Sequence, residues 1–104
     1  MNNLIDLCKD HSGSRLIQKR YETGTDDEKN QIFDKISSNI LSLAKDVFGN
    51  YVIQKILDNN TIDQEKNSKI MTSLEGNIQE LTLHMYGCRV IQKAIEVFTL
   101  LTNF

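Results

Sequence analysis

The sequence contains no proline and no tryptophan, and its 104 residues include only five glycines, three tyrosines and four phenylalanines. Proline and glycine weaken helices, so their scarcity favours a helical chain over one built from short strands and turns. No apolar run approaches the roughly 20 residues that span a membrane, and no cationic-then-apolar signal segment begins the chain. The two cysteines lie far apart, which together with the missing signal indicates a reducing, cytoplasmic setting.

Positive charge is not in excess either, because 12 Lys and Arg residues face 14 Asp and Glu residues for a net charge of −2. This balance argues against a nucleic-acid ligand, but the distribution of charge argues for one. Three octapeptides that begin at Gly13, Gly49 and Gly87 hold six of the basic residues and none of the acidic ones. A locally basic surface can attract a phosphate backbone even on an acidic body, since charges beyond about 8 Å are screened.

The three octapeptides are copies of one pattern, at spacings of 36 and 38 residues. They read GSRLIQKR, GNYVIQKI and GCRVIQKA in chain order. The glycine, an aliphatic pair and a Gln-Lys pair stay constant, while the two positions after the glycine vary. Such spacings are typical of repeat proteins. Constant residues that hold variable polar and planar residues suit a protein in which each repeat binds one unit of a repeating ligand.

Helical geometry separates each octapeptide into two faces. At about 100° per residue, Ser14 and Gln18 lie about 40° apart with Arg15 beside them, whereas Leu16 and Ile17 lie on the opposite side. Ser14 and Gln18 can then reach one edge of a flat ligand while Arg15 lies against its plane. We expect the apolar side to join a shared core. The predicted core residues outside the octapeptides are Phe33, Ile36, Leu41, Leu43, Phe48, Leu74, Leu81 and Leu83.

Each repeat is predicted to contain a short helix, the octapeptide helix and a longer outer helix. The predicted helices run over 4–9, 12–22, 26–36, 40–46, 49–57, 63–74, 78–85 and 87–98. Thr25 and Glu28 have the spacing of a capping box, and Asn39 and Asn77 mark the breaks between repeats. The outer helices are acidic, so we expect them on the convex surface of a stacked solenoid, with the octapeptide helices on the concave side.

The segments DVFGNYVIQK from Asp46 and MYGCRVIQK from Met85 resemble the RNA-binding repeats of the Pumilio (PUF) family. The resemblance covers about residues 4–98, and the order of the three copies is similar to the first three repeats of the family's eight-repeat domain. It implies one all-α domain over residues 1–104, an α-solenoid of three-helix repeats at about 3–38, 39–76 and 77–104. The third repeat lacks its outer helix and is therefore incomplete.

The resemblance also implies that each repeat binds one base of single-stranded RNA. The implied RNA-binding residues are Ser14, Arg15, Gln18, Asn50, Tyr51, Gln54, Cys88, Arg89 and Gln92. The octapeptide lysines Lys19, Lys55 and Lys93 are candidate phosphate contacts. The family's base preferences, with the protein N-terminus at the RNA 3′ end, imply the core sequence 5′-AUA-3′. Its role in regulating messenger RNA implies binding to 3′ untranslated regions and an effect on translation.

Two other interpretations stay open at this stage. An α-solenoid can also bind a protein or a peptide, although a peptide groove does not require a glutamine at the same position of every repeat. The chain can also be a truncated fragment with little RNA affinity of its own, whose uncapped C-terminal end favours self-association. Protein partners of the RNA-binding form are expected on the convex face.

Neither a metal site nor a catalytic site is predicted. Cys8 with His11, and His84 with Cys88, have spacings that suit zinc, but the two pairs lie two repeats apart. Cys88 also falls at a base-reading position, and Cys8 is expected in the core. No Ser or Cys has a His and an acid at a motif-like spacing, and no glycine-rich phosphate loop occurs. We therefore expect neither enzyme activity nor a cofactor.

Overall fold

The computed structural model describes residues 4–59 and 64–102, which form helices in three successive groups. The helices are α1 (Leu4–Cys8), α2 (His11–Thr23), α3 (Asp26–Ile36), α4 (Ile40–Ala44), α5 (Gly49–Asn59), α6 (Gln64–Glu75), α7 (Ile78–Thr82) and α8 (Gly87–Thr102). No strand occurs in the described ranges, and none of their helices combines the length and apolar composition that a membrane span requires. The predicted all-α class is confirmed.

The three octapeptide helices, α2, α5 and α8, form the centre of the structure. Helix α5 packs against α2 on one side and against α8 on the other, so the three helices form a stack. Each of the short helices α1, α4 and α7 packs on the octapeptide helix of its own group, while α3 packs on α2 and α6 packs on α4. The predicted solenoid, in which successive repeats stack on their neighbours, is therefore confirmed.

The constant glycine of each octapeptide lies where the octapeptide helix approaches the short helix before it. A Cβ atom added at Gly13 would lie 2.3 Å from the carbonyl oxygen of Leu7, and one at Gly49 would lie 2.8 Å from that of Leu43. Contacts this short are repulsive, so any other residue would push the two helices apart. The glycine therefore sets the spacing between the two helices.

The octapeptide helices receive side-chain caps from the position three residues before the glycine. Asp10 and Asp46 each accept a hydrogen bond through Oδ2 from the backbone N–H of that glycine, at 2.8 Å. His84 has the same position in the third group and accepts the equivalent bond through Nδ1 at 3.1 Å. Each bond satisfies a backbone donor that the first turn of a helix leaves unpaired.

Two predicted signals of helix boundaries are confirmed. The capping box is formed, because Thr25 Oγ1 accepts from the backbone N–H of Glu28 at 3.2 Å and Glu28 Oε1 accepts from the backbone N–H of Thr25 at 3.1 Å. The bond from the Thr25 backbone also lowers the pKa of Glu28. Asn39 and Asn77 are the N-caps of α4 and α7, so the breaks between repeats lie where they were predicted.

The predicted ends of four helices differ from the structure by two or more residues. Helix α5 continues from its predicted end at residue 57 to Asn59. The helices predicted over 40–46 and 78–85 end at Ala44 and Thr82, because Asp46 and His84 are used as caps for the next helix. Helix α8 continues beyond its predicted end at residue 98, as far as Thr102. The predicted start of the second outer helix at residue 63 lies outside the described residues.

The core lies between the stacked octapeptide helices and the helices packed on them. Most of the predicted core residues are confirmed: Phe33, Ile36, Leu43, Leu74 and Leu81 are buried, and Leu41 and Phe48 are half-buried. The prediction for Leu83 is wrong, because its side chain is 82% exposed. Helix α7 ends at Thr82, so Leu83 lies in the turn before α8 and not on a buried helix face.

Candidate nucleic-acid interface

Three planar side chains lie on the exposed side of the helix stack. Arg15, Tyr51 and Arg89 have the same position in α2, α5 and α8, and all three are exposed. Tyr51 is 42% exposed, so it does not pack in the core. Arg89 donates a hydrogen bond from Nη1 to the phenol oxygen of Tyr51 at 2.9 Å. We call the surface formed by these three residues and the three octapeptide glutamines the polar face.

An open cleft of about 360 Å³ separates the first two repeats on the polar face. Its lining residues are His11, Ser14, Arg15, Gln18, Phe48 and Tyr51. The cleft therefore contains the polar, planar and amide residues of the first octapeptide, together with the planar residue of the second. A cleft with planar groups from two repeats and an amide between them has the features that a flat, hydrogen-bonding ligand requires.

Sequence reasoning missed two residues of this cleft. The rings of His11 and Phe48 contact each other edge to face, with centroids 5.3 Å apart, and both line the cleft. The sequence predicts Phe48 in the core because it is apolar, and it singles out His11 only for its zinc-like spacing to Cys8. His11 lies two residues before Gly13 and Phe48 lies one residue before Gly49. That proximity to two octapeptides is a signal in the sequence, but the contact between the rings joins residues of different repeats.

The second repeat contains a hydrogen-bonded pair of amides. Gln54 Nε2 donates to Asn50 Oδ1 at 2.9 Å. Asn50 in turn donates from Nδ2 to the backbone carbonyl oxygens of Asp46 at 2.9 Å and Val47 at 3.0 Å. Asn50 uses its Nδ2 donors on these two carbonyl oxygens, so it offers Gln54 only the acceptor Oδ1. Gln54 therefore turns its Nε2, and not its Oε1, toward Asn50. Gln54 keeps its Oε1 and one N–H for a ligand.

The placement of Ser14 and Asn50 on an exposed face needs correction. Both side chains are buried, and the Ser14 hydroxyl donates to the backbone carbonyl oxygen of His11 at 3.2 Å. The helical angles separate these residues from the aliphatic side, but both side chains are buried and form hydrogen bonds within their own repeats. The structure therefore places Gln18 and Gln54 nearer to solvent than Ser14 and Asn50, and direct contact of the latter two with a base stays a prediction.

The third repeat presents its polar residues more openly. Cys88 is half-buried and its Sγ donates to the backbone carbonyl oxygen of Met85 at 3.6 Å, whereas Ser14 and Asn50 at the same position are buried. Gln92 is exposed, while Gln18 and Gln54 are half-buried. The third repeat thus has its small, planar and amide residues at the equivalent positions, but Cys88 and Gln92 are less buried than their counterparts.

Two of the three octapeptide lysines form ion pairs with the preceding repeat. Lys55 Nζ lies 3.5 Å from Glu22 Oε2, and Lys93 Nζ lies 3.5 Å from Asp58 Oδ1. Exposed ion pairs of this kind stabilise a fold by only about 0–1 kcal/mol, so a phosphate can compete for these lysines. The acids lie just outside the octapeptides, and they reduce the local excess of positive charge that the octapeptides alone predict. The role of the lysines as phosphate contacts stays a prediction.

The cysteines and histidines that suggested zinc do not converge. Cys8 is buried in the core as predicted, and burial, with a smaller contribution from Asp46, raises the pKa of its thiol to about 12. A thiol with such a pKa stays protonated at neutral pH and is a poor metal ligand. Within residues 4–59 and 64–102, no three His, Cys, Asp or Glu side chains are arranged to hold a metal ion.

Comparisons with known proteins agree with this geometry. A family model for the Pumilio-family RNA binding repeat matches residues 3–37, 39–67 and 77–100. The chain is 39% identical to Pumilio homolog 1 of Xenopus laevis over 94 residues, which are 90% of this chain and 8% of that protein. It is 40% identical to Pumilio homolog 9 of Arabidopsis thaliana over 93 residues, which are 86% of this chain and 16% of that protein.

Solved structures of RNA complexes have the same fold. The Puf3 RNA-binding domain bound to a Cox17 RNA 3′ UTR recognition sequence superposes with a TM-score of 0.87 at 41% identity, over 92% of this chain and 27% of that one. PUF-8 in complex with PBE-RNA superposes with a TM-score of 0.82 at 36% identity, over 89% of this chain and 27% of that one. The chain thus spans about a quarter of these domains.

Proposed function

Since the chain belongs to the Pumilio family of RNA-binding repeat proteins, we propose that it binds single-stranded RNA in a sequence-specific manner through its polar face. The observation that carries this proposal is the cleft in which Arg15, Gln18 and Tyr51 meet. A base that enters the cleft stacks between two planar groups from different repeats and hydrogen-bonds to the amide between them. The proposed activity is binding alone, without a chemical step.

The second base lies between Tyr51 and Arg89. These two side chains are hydrogen-bonded to each other, so a base that stacks between them must first break that bond. Stacking on planar side chains stabilises a bound base by about 1–3 kcal/mol, which exceeds the roughly 1 kcal/mol that one exposed hydrogen bond contributes. The bond therefore lowers the affinity for the second base without preventing its binding.

Gln54 reads uracil at this second position. Its Oε1 accepts from uracil N3–H, and its remaining N–H donates to a uracil carbonyl oxygen. Cytosine presents the opposite pattern, so it requires the amide of Gln54 to rotate. Rotation would bring Oε1 against the Oδ1 atom of Asn50, where Nε2 now donates at 2.9 Å. Asn50 thus selects uracil by holding Gln54 in one orientation.

The first and third positions prefer adenine, with Gln18 and Gln92 as the amides, which completes the core sequence 5′-AUA-3′. This assignment follows from the resemblance to the family's base preferences. The proposed biological role is post-transcriptional regulation of messenger RNAs through their 3′ untranslated regions in the cytoplasm. Three bases at about 1–3 kcal/mol each, less the ordering of RNA and side chains, give an affinity no tighter than about micromolar.

A binding experiment with labelled oligonucleotides tests the base at the second position. We expect RNA that contains AUA to bind more tightly than RNA that contains ACA by about 1–3 kcal/mol, measured by fluorescence anisotropy. The variant Gln54→Ala should lose this preference, and Asn50→Ala should reduce it because the amide can then rotate.

Two controls accompany this measurement. The variant Gln31→Ala removes an exposed glutamine from the outer helix α3 and should bind as the unchanged chain does. Single-stranded DNA of the same sequence separates an RNA preference from general stacking. Equal affinity for AUA and ACA would remove Asn50 and Gln54 as base-selecting residues, and no binding to any RNA would overturn the proposed function of this chain.

A further inference from the structure

The position two residues before the octapeptide glycine is exposed in every repeat. It holds His11, Val47 and Met85 in chain order. Val47 is 41% exposed although its repeat has a neighbour on both sides, so the exposure belongs to this position and does not depend on where the stack begins or ends. Only His11 of the three residues has a side chain that both donates and accepts hydrogen bonds.

The imidazole of His11 is held at the cleft between the first two repeats. Its ring contacts the ring of Phe48 edge to face, with the centroids 5.3 Å apart and the planes at 71°. Both rings line the cleft together with Arg15, Gln18 and Tyr51. His11 is the first residue of α2 and Phe48 directly precedes α5. The contact therefore joins the two repeats at the end of the cleft where both octapeptide helices begin.

Two side chains of this cleft are available to the edge of a base. The hydroxyl of Ser14 is buried and donates to the backbone carbonyl oxygen of His11 at 3.2 Å, so its single hydrogen is used within α2. Arg15 and Tyr51 lie against the two sides of the base in the proposed binding mode. The edge of the base is therefore left to the half-buried amide of Gln18 and the exposed imidazole of His11.

His11 and Gln18 lie on the same face of α2. They are seven residues apart, which is close to two helical turns, or about 10 Å along the helix axis. A base that hydrogen-bonds to Gln18 through one edge can then turn another edge toward His11. A purine has two fused rings, so it extends further toward His11 than a pyrimidine with its single ring.

From this arrangement we propose that His11 hydrogen-bonds to the base in the cleft and makes the first base position selective for purines, an inference that rests on the proposed RNA binding. The imidazole N–H requires an acceptor on the base. When Gln18 uses the Watson–Crick edge, a purine still offers its ring nitrogens N3 and N7. Uracil has no such acceptor, and the only one in cytosine is the N3 that Gln18 uses. A purine therefore satisfies both side chains, whereas a pyrimidine leaves His11 without a partner.

The second base position has no equivalent of this imidazole. Val47 has the place of His11 there and Tyr86 has the place of Phe48, and the side chain of Val47 forms no hydrogen bonds. The base proposed for this position is uracil, which has no free ring-nitrogen acceptor. The residue two positions before the glycine thus differs between the first two repeats in the same sense as the bases proposed for them.

Fluorescence anisotropy with labelled RNA and the full chain tests this role at the last A of AUA, the base proposed for the first repeat. The unchanged chain should bind RNA that contains AUA about tenfold more tightly than RNA that contains AUU. Replacing that adenosine with 3-deazaadenosine or with 7-deazaadenosine removes one ring-nitrogen acceptor, and one of the two should weaken binding by a similar factor. The variant His11→Phe keeps an aromatic ring against Phe48 but has no N–H. It should lose most of the preference for AUA over AUU and all sensitivity to the deaza bases.

Val47→Ala is the matched control, because it changes the same position of the second repeat and should leave the preference for the last adenine unchanged. The preference for AUA over ACA reports the second base and should survive in His11→Phe, which shows that the variant is folded and binds RNA. If His11→Phe keeps both its preference for AUA over AUU and its sensitivity to the deaza bases, His11 does not read the base, while the proposed function stands. If the unchanged chain binds no RNA, this inference and the proposed function are both wrong.

Discussion

Single residues in this chain act through their neighbours as much as through their own chemistry. Asn50 is fully buried, yet its hydrogen bonds determine which atoms of Gln54 are available on the polar face. His84 has the capping position that aspartate has in the first two repeats, and its Nδ1 accepts from the backbone N–H groups of Tyr86 and Gly87. The contact of Asn50 fixes the orientation of the Gln54 amide, and the contacts of His84 fix the start of α8.

The cap of α8 leads to a prediction at this scale. A carboxylate interacts more favourably than a neutral imidazole with the positive end of a helix. We therefore expect His84→Asp to raise the free energy of unfolding by about 0.5–1 kcal/mol, measured by urea denaturation. The reverse change, Asp46→His in the second repeat, should lower it by a similar amount. A loss of stability in His84→Asp would show that the contact of His84 with the ring of Tyr86 matters more than the cap.

At the scale of elements, each repeat is held together by a close contact between its short helix and its octapeptide helix. The constant glycine permits this approach, since a Cβ at Gly13 would lie 2.3 Å from a backbone oxygen in the short helix. Backbone atoms of two packed helices cannot move independently, so the strain cannot be relieved by a side-chain rotation. The glycine belongs to the repeat pattern for a packing reason, while the residues at the two positions after it differ between the repeats.

Alanine substitutions at two glycines test this explanation. We expect Gly13→Ala to lower the free energy of unfolding by about 1–3 kcal/mol, as overpacking does in well-packed regions. Gly76→Ala is the matched control, because a Cβ there meets nothing within 4 Å and no glycine has a positive φ. That change should be neutral or stabilising by up to about 1 kcal/mol. Equal effects of the two changes in urea denaturation would contradict the packing explanation.

At the scale of the whole molecule, the stack has one interior repeat and two ends. Helix α5 has an octapeptide helix on both sides, and its aliphatic residues Val52, Ile53, Ile56 and Leu57 are all fully buried. Helix α8 has one such neighbour, and Ile95 remains exposed. In repeat proteins the stability of a unit depends on the interfaces with its neighbours, so the two helices should differ in local stability.

Hydrogen exchange measures this difference directly. At a protein concentration low enough to keep the chain monomeric, we expect the amides of residues 87–98 to exchange faster than those of residues 49–57, because α8 lacks a neighbour on one side. Uniform protection of both helices at low concentration would contradict the proposed difference between interior and end.

The sequence by itself determined what depends on residues close together in the chain. Helix positions, the capping box at Thr25, the breaks at Asn39 and Asn77, the aliphatic stripe and the three planar residues all follow from local periodicity and propensity. The tertiary structure decided what depends on contacts between repeats, 33 to 38 residues apart along the chain. It buried Ser14 and Asn50, brought His11 to Phe48 and exposed Leu83. A helical wheel shows which side of a helix a residue occupies, but only the stack decides whether a neighbouring repeat covers that side.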